Sequence, residues 1–159
     1  MSQDLANKLK DEFEKISNIS CEAKFMEKGK NHKPTTLRAN EKGVYVFLLD
    51  ENTCFKVGKA GSKSPARWNS HHYNIDKSTP SAFTKSFLKD LTKFKTYFDS
   101  SLSNEIDNLE KEKKSKQWIQ DNISRIEFKI SSEESDIVLN LFEALIQFRL
   151  NPIYEGKSA

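Results

Sequence analysis

The chain has 159 residues, enough for one domain with a hydrophobic core and too few for two of ordinary size. Eleven Phe, four Tyr and two Trp argue against a disordered chain, and two cysteines at no metal-like spacing, Cys21 and Cys54, suit buried or free thiols in a reducing compartment. The net charge of +3 excludes little, but residues 24–42 and 56–67 are rich in Lys and Arg while acidic residues gather at 99–112, an asymmetry that suits a phosphate backbone as partner.

The first residues are polar and mixed in charge, unlike a signal peptide, and no apolar run approaches the ~20 residues of a membrane span. A soluble, cytoplasmic protein with no membrane partner is therefore expected. Leu5, Leu9, Phe13 and Ile16 recur at helical spacing and predict an amphipathic N-terminal helix. A polar, basic arm follows to about residue 42. GVYVFLLD (43–50) is nearly continuous apolar sequence, as in a strand buried on both faces, and TCFKVG (53–58) returns as the second strand of a hairpin. A two-residue turn at Asp50–Glu51 sets Tyr45 directly opposite Lys56.

Pro65 opens a helix over PARWNSHHY, in which Arg67 and His71, four residues apart, share a face. SAFTKSFLKDLTKFKTYF reads as one helix with Phe83, Phe87 and Leu91 in register, and 99–117 as an exposed, highly charged helix or loop. SRIEFKI (124–130) alternates as a strand with Ile126, Phe128 and Ile130 on one side. SDIVLNLFEALIQFRL (135–150) is the most hydrophobic helix and stops at Asn151–Pro152.

Together these elements predict an α+β fold, a small α/β sandwich. Its short, mostly antiparallel three-stranded central sheet is flanked by helices, with a helical insertion between the second and third strands. The whole chain, 1–159, reads as one domain: an N-terminal helix and basic arm (1–42), a hairpin and helix (43–73), an insertion (74–123), and a third strand with the last helix (124–159).

Two local features point to chemistry. Glu143 shares a helix face with Leu139, Ile146 and Leu150, and a carboxylate inside an apolar stripe is costly unless it is paired or holds a metal. The plain alternative is a Glu at the stripe's edge that meets water or a cation. Second, Tyr45, Lys56, Lys59, Arg67 and His71 gather donors and one imidazole with nothing acidic between them. Phosphodiester hydrolysis needs such a set: a base for water, cations for the developing charge, and a carboxylate for a divalent ion. Candidate DNA contacts are Lys30, Lys33 and Arg38 in the arm, Lys63 and His72 near the helix, and Lys85 and Lys89 in the insertion. There the Lys residues interleave with Phe83, Phe87 and Phe94 as on a helix with a core face and a phosphate face.

Gly43-Val44-Tyr45, followed eleven positions after Tyr45 by Lys56-Val57-Gly58, resembles the paired signature of the GIY-YIG nuclease superfamily. Lys59-Ala60 extends the likeness to the nuclease domain of the bacterial excision-repair incision subunit. Arg67, His71 and Glu143 with its Ala-Leu-Ile and Pro152 tail follow in the family's order, so the resemblance covers about 43–73 and 124–155. Three departures stand out: Lys56 replaces a Tyr, as in some restriction endonucleases of the superfamily; Glu155 stands where an Asn is common; and 74–123 is longer than in the minimal domain.

The resemblance implies a Mg²⁺-dependent (or Mn²⁺-dependent) endonuclease acting on double-stranded DNA, with one metal per active site held by Glu143. Tyr45 or His71 would take the proton of the attacking water, Arg67 would pair with phosphate oxygens, and Lys56 and Lys59 would add positive charge. No separate targeting domain is evident, which favours a stand-alone restriction-type enzyme, and a homodimer is possible because a palindrome has two strands to cut. The competing readings are a catalytically silent DNA-binding module and a structure-specific repair or flap nuclease.

Overall fold

The computed structural model describes residues 3–69, 73 and 83–154, without the side chains of 110 and 111. In order these form α1 (Gln3–Ser17), β1 (Glu22–Met26), β2 (Glu41–Asp50), β3 (Thr53–Ala60), α2 (Pro65–Asn69), α3 (Phe83–Lys89), α4 (Leu91–Lys95), α5 (Ser100–Ile106), α6 (Leu109–Glu112), α7 (Ser115–Asn122), β4 (Ser124–Ser131) and α8 (Asp136–Leu150). The class is α+β. The sheet, however, has four strands rather than three, in the order β1-β4-β2-β3, and every described pairing is antiparallel. The extra strand, β1, lies in the stretch read as a polar arm. Its five residues bury only Met26 fully, so their alternation is too short and too polar to stand out.

The hairpin is present in a different register. Asp50 pairs with Thr53 around Glu51–Asn52, Phe47 pairs with Lys56, and Tyr45 faces Gly58 instead of Lys56. Two irregularities compensate: Phe55 is unpaired on β3 and Leu49 on β2. The shift of two residues keeps Tyr45 and Lys56 on one face of the sheet. The bulge turns Phe55 into an aromatic core, where it lies 5.2 Å from Phe94 and 5.4 Å from Tyr97 between ring centroids. Burying such a ring contributes about 1.5–3 kcal/mol, which accounts for the irregularity.

Two cores lie on the two faces of the sheet. On one, α1 and α8 cover Val44, Val46, Leu48, Val57, Ile126 and Phe128, and Phe13 stacks on Phe142 at 3.7 Å. Ile16, expected in this core, is instead 57% exposed. On the other face the insertion packs Phe83, Phe87, Phe94 and Trp118 against Tyr45, Phe47 and Phe55. The single helix expected over 81–98 is broken at Asp90, which leaves helical geometry (φ −130°, ψ 55°) and lets Phe87 and Phe94 stack at 4.2 Å. Residues 99–117 hold α5, α6 and the start of α7. The α8 helix starts on Ser135, whose side chain accepts from Val138 N, and stops at left-handed Asn151. No described helix is long and apolar enough to cross a membrane.

Candidate active site at the outer edge of the sheet

β3 is an edge strand, and consecutive residues on it receive the two halves of the expected site. From the insertion face, Tyr45 crosses to Gly58: a Cβ there would lie 2.2 Å from the Tyr45 hydroxyl oxygen, so only glycine leaves room for the ring. From the α8 face, Glu143 meets Lys59, with Oε2 and Nζ 3.1 Å apart. Lys59 Nζ also donates to Asn140 Oδ1 at 2.5 Å, and Gln147 Nε2 donates to Glu143 Oε1 at 3.2 Å. Glu143 therefore sits at the edge of the apolar stripe, paired with a cation. Its Oε2 is buried and has the Lys59 charge beside it, yet accepts no directed hydrogen bond. That oxygen keeps a lone pair for a further ligand.

Arg67 projects from the short α2 helix, is exposed, and has no side-chain partner among the described residues. Its neighbour Trp68 is fully buried and donates from Nε1 to the Thr35 carbonyl at 3.0 Å, which fixes the helix. Tyr45 is 2% and Lys56 4% exposed, so both lie under the surface rather than in an open cleft. His71 and His72 lie outside the described residues. Of the expected DNA contacts, Lys30, Lys33, Arg38, Lys63 and Lys89 are exposed and Lys85 is half-buried.

The basic arm is not loose. Lys28 N donates to Ser124 Oγ, Gly29 N to Gln120 O, and Thr35 N to Glu127 Oε1, while Lys129 Nζ donates to the Thr36 carbonyl. These bonds fasten the arm to β4 and to the end of α7.

Under the site lies a polar network that the alternation of β4 did not reveal. Arg125 is 0% and Glu127 2% exposed, and they pair at 3.1 Å. The guanidinium lies 5.2–5.4 Å from the ring centroids of Trp68, Tyr45 and Phe47. It donates to the Trp68 carbonyl at 2.6 Å and to the Tyr73 hydroxyl at 3.3 Å, and Glu127 also accepts from the Thr35 hydroxyl. Arg125 thus ties the floor beneath Tyr45 to the helix that bears Arg67. An Arg and a Glu two residues apart on a strand share a face, and an aromatic-rich insertion is what could cover that face. Those two observations together were the available signal.

His32 closes the network, with Nδ1 2.5 Å from the Ile123 carbonyl and Nε2 2.5 Å from the Tyr73 hydroxyl. Burial pushes its pKa down to about 4, and burial raises Tyr73 to about 12, so both are neutral near pH 7. The folded His32 binds protons less tightly than the unfolded one. Stability from this group is therefore complete above about pH 6.5 and is lost as pH falls toward 4, by roughly 3 kcal/mol in total. Urea unfolding at pH 7 and pH 4.5 should show a steeper loss for the native chain than for His32→Gln, whereas equal slopes would contradict this assignment.

Chemically, the edge of β3 offers cations, a phenol and, among the described residues, the Glu143 carboxylate. Among the described residues no three His, Cys, Asp or Glu side chains are grouped to hold a metal. A single carboxylate suits Mg²⁺, which commonly takes one or two protein carboxylates and completes its shell with water and phosphate oxygens. Glu143, with its unsatisfied oxygen, fits that role. Compared with known proteins, this chain matches no family model, no curated protein and no solved structure.

Proposed function

We propose that the chain is a Mg²⁺-dependent endonuclease of the GIY-YIG type that cleaves double-stranded DNA in the cytoplasm as a restriction-type enzyme. The observation that carries this reading is the meeting at Gly58–Lys59, where Tyr45 arrives from one face of the sheet and Glu143 from the other. Glu143 would hold the metal, which when bound supplies Lewis-acid polarisation of the scissile phosphate. Lys59 then exchanges part of its pairing with Glu143 for the phosphate and keeps positive charge beside the developing anion. Arg67, exposed and without a side-chain partner among the described residues, would present its planar fork to two phosphate oxygens. The Tyr45 side chain, held over Gly58 by the packed ring, would in its phenolate form accept the proton of the attacking water, a role that His71 shares in this reading.

A second reading is favoured by one observation. Tyr45 and Lys56 are almost wholly buried, which suits a DNA-binding module in which they serve only the core. Arg67→Ala separates the two. In the enzyme it lowers the rate of plasmid nicking in Mg²⁺ by about 100-fold or more with little change in the melting temperature, because an interaction with the transition state is lost. Binding of duplex DNA without nicking by the native chain supports the module instead.

A further inference from the structure

We infer that two copies of this chain pair antiparallel through the outward face of α8, and that this pairing turns both candidate sites to the same side of the dimer. The helix carries two apolar stripes on opposite sides. Leu139, Phe142 and Ile146 face the sheet and are buried. Ile137, Leu141, Ala144 and Phe148 follow i, i+4, i+7, i+11 spacing on the far side, and three of them rank as large exposed apolar residues: Ile137 is 78%, Leu141 42% and Phe148 77% exposed. A second apolar stripe on the solvent side of a helix, beyond the one that meets the core, marks an interaction surface. Here the outer stripe runs the length of the helix, bordered at its end by the Arg149 guanidinium, 5.4 Å from the Phe148 ring centroid.

The pattern selects a second copy of the same helix as its occupant. The spacing is that of helix-pairing seams, and in an antiparallel alignment one register serves every position. Ile137 meets the partner's Phe148, and Leu141 meets the partner's Ala144, so bulky and small residues alternate. The side chains flanking the stripe are Asn140 and Gln147 on one side and Val138 and Leu145 on the other, so no like charges oppose one another. Of the charged residues of α8, Glu143 pairs with Lys59, Arg149 Nε with Glu12 at 2.8 Å and Asp136 with Lys42 at 3.3 Å, so each has a partner within its own copy. A contact confined to one helix from each copy falls at the low end for specific interfaces, below about 1,200 Å² in total, so the dimer is weak.

The flanks give the pairing its consequence. The α1 helix lies on one side of the stripe, where Glu12 meets Arg149, and Asn140 and Glu143 lie on the other with Lys59. A two-fold axis perpendicular to the paired helices keeps like flanks together. With axes about 8–10 Å apart, the two Glu143 carboxylates fall within about 20 Å of each other, facing one way. That placement matters to cutting both strands of a duplex, and this part rests on the endonuclease reading. The dimer itself does not.

Sedimentation velocity over about 5–500 µM protein tests the pairing without reference to cleavage. The native chain should show concentration-dependent dimer, and Phe148→Glu, an exposed position that leaves the core intact, should weaken it about 100-fold or more. Adding Ile137→Lys to Phe148→Glu sets Lys against Glu in the antiparallel register and should restore the dimer. A native chain that stays monomeric throughout the range, a dimer that survives Phe148→Glu, or a loss that Ile137→Lys does not rescue would each overturn the inference.

Discussion

Arg125→Met is expected to lower the stability of the fold by about 3–5 kcal/mol, which for a chain of this size corresponds to a fall in melting temperature of roughly 10–15 °C. Methionine fills much of the same volume, so the loss is electrostatic rather than a cavity effect. It strands the Glu127 carboxylate, 2% exposed, with Thr35 as its remaining partner among the described residues, and leaves the Trp68 carbonyl without its 2.6 Å donor. A buried ion pair contributes little over a well-packed apolar pair, yet breaking one side of it is costly because the other charge stays behind. Replacing both partners, as Arg125→Met with Glu127→Leu, should therefore recover much of the loss. Thermal or urea melts of the two variants decide the matter. A single variant within 1 kcal/mol of the native chain, on the order of a surface change, would show that the pair is not the strut described.

The second large effect is expected at Glu143. Its side chain is 20% exposed at the rim of the core and contacts Lys59 and Gln147, so Glu143→Ala removes one partly solvated ion pair and little packing. Such pairs contribute at most about 1 kcal/mol to stability, and the melting temperature should move by no more than a few degrees. Plasmid nicking in Mg²⁺ should nevertheless fall by at least about 100-fold, since the carboxylate that meets Lys59 at the β3 edge is lost. A variant that melts like the native chain and still cuts at an undiminished rate would remove Glu143 from the mechanism.

The sequence disclosed this fold unevenly, for physical reasons. The long apolar runs of β2 and α8 and the amphipathic repeat of α1 carry strong periodicity, and all three are found where expected. β1 escaped because an edge strand of five residues with a solvated face has almost no pattern to read. The hairpin register escaped because Phe55 and Leu49 drop out of the ladder, and such a bulge depends on what packs over it rather than on the turn. The break at Asp90 has the same origin: stacking Phe87 on Phe94 decided it against a continuous helical repeat.

For the site, spacing left two readings of Glu143, an acid inside the apolar stripe that needs a partner or a metal and a Glu at the stripe's edge that meets water or a cation; it lies at the edge, beside Lys59. Spacing could not indicate that Tyr45 and Glu143 approach β3 from opposite faces, because that depends on which layer each helix joins. Nor could it indicate Arg125, His32 and Thr35. Their roles follow from the insertion and the arm closing over β4, a long-range arrangement with no local signature.

The most direct test of the proposed activity is incubation of the purified native chain with supercoiled plasmid in Mg²⁺, in parallel with EDTA. The site at the edge of β3 predicts nicked and linear DNA in Mg²⁺ and intact plasmid in EDTA. Plasmid that remains supercoiled in Mg²⁺ and in Mn²⁺, with protein that binds the DNA, would contradict it.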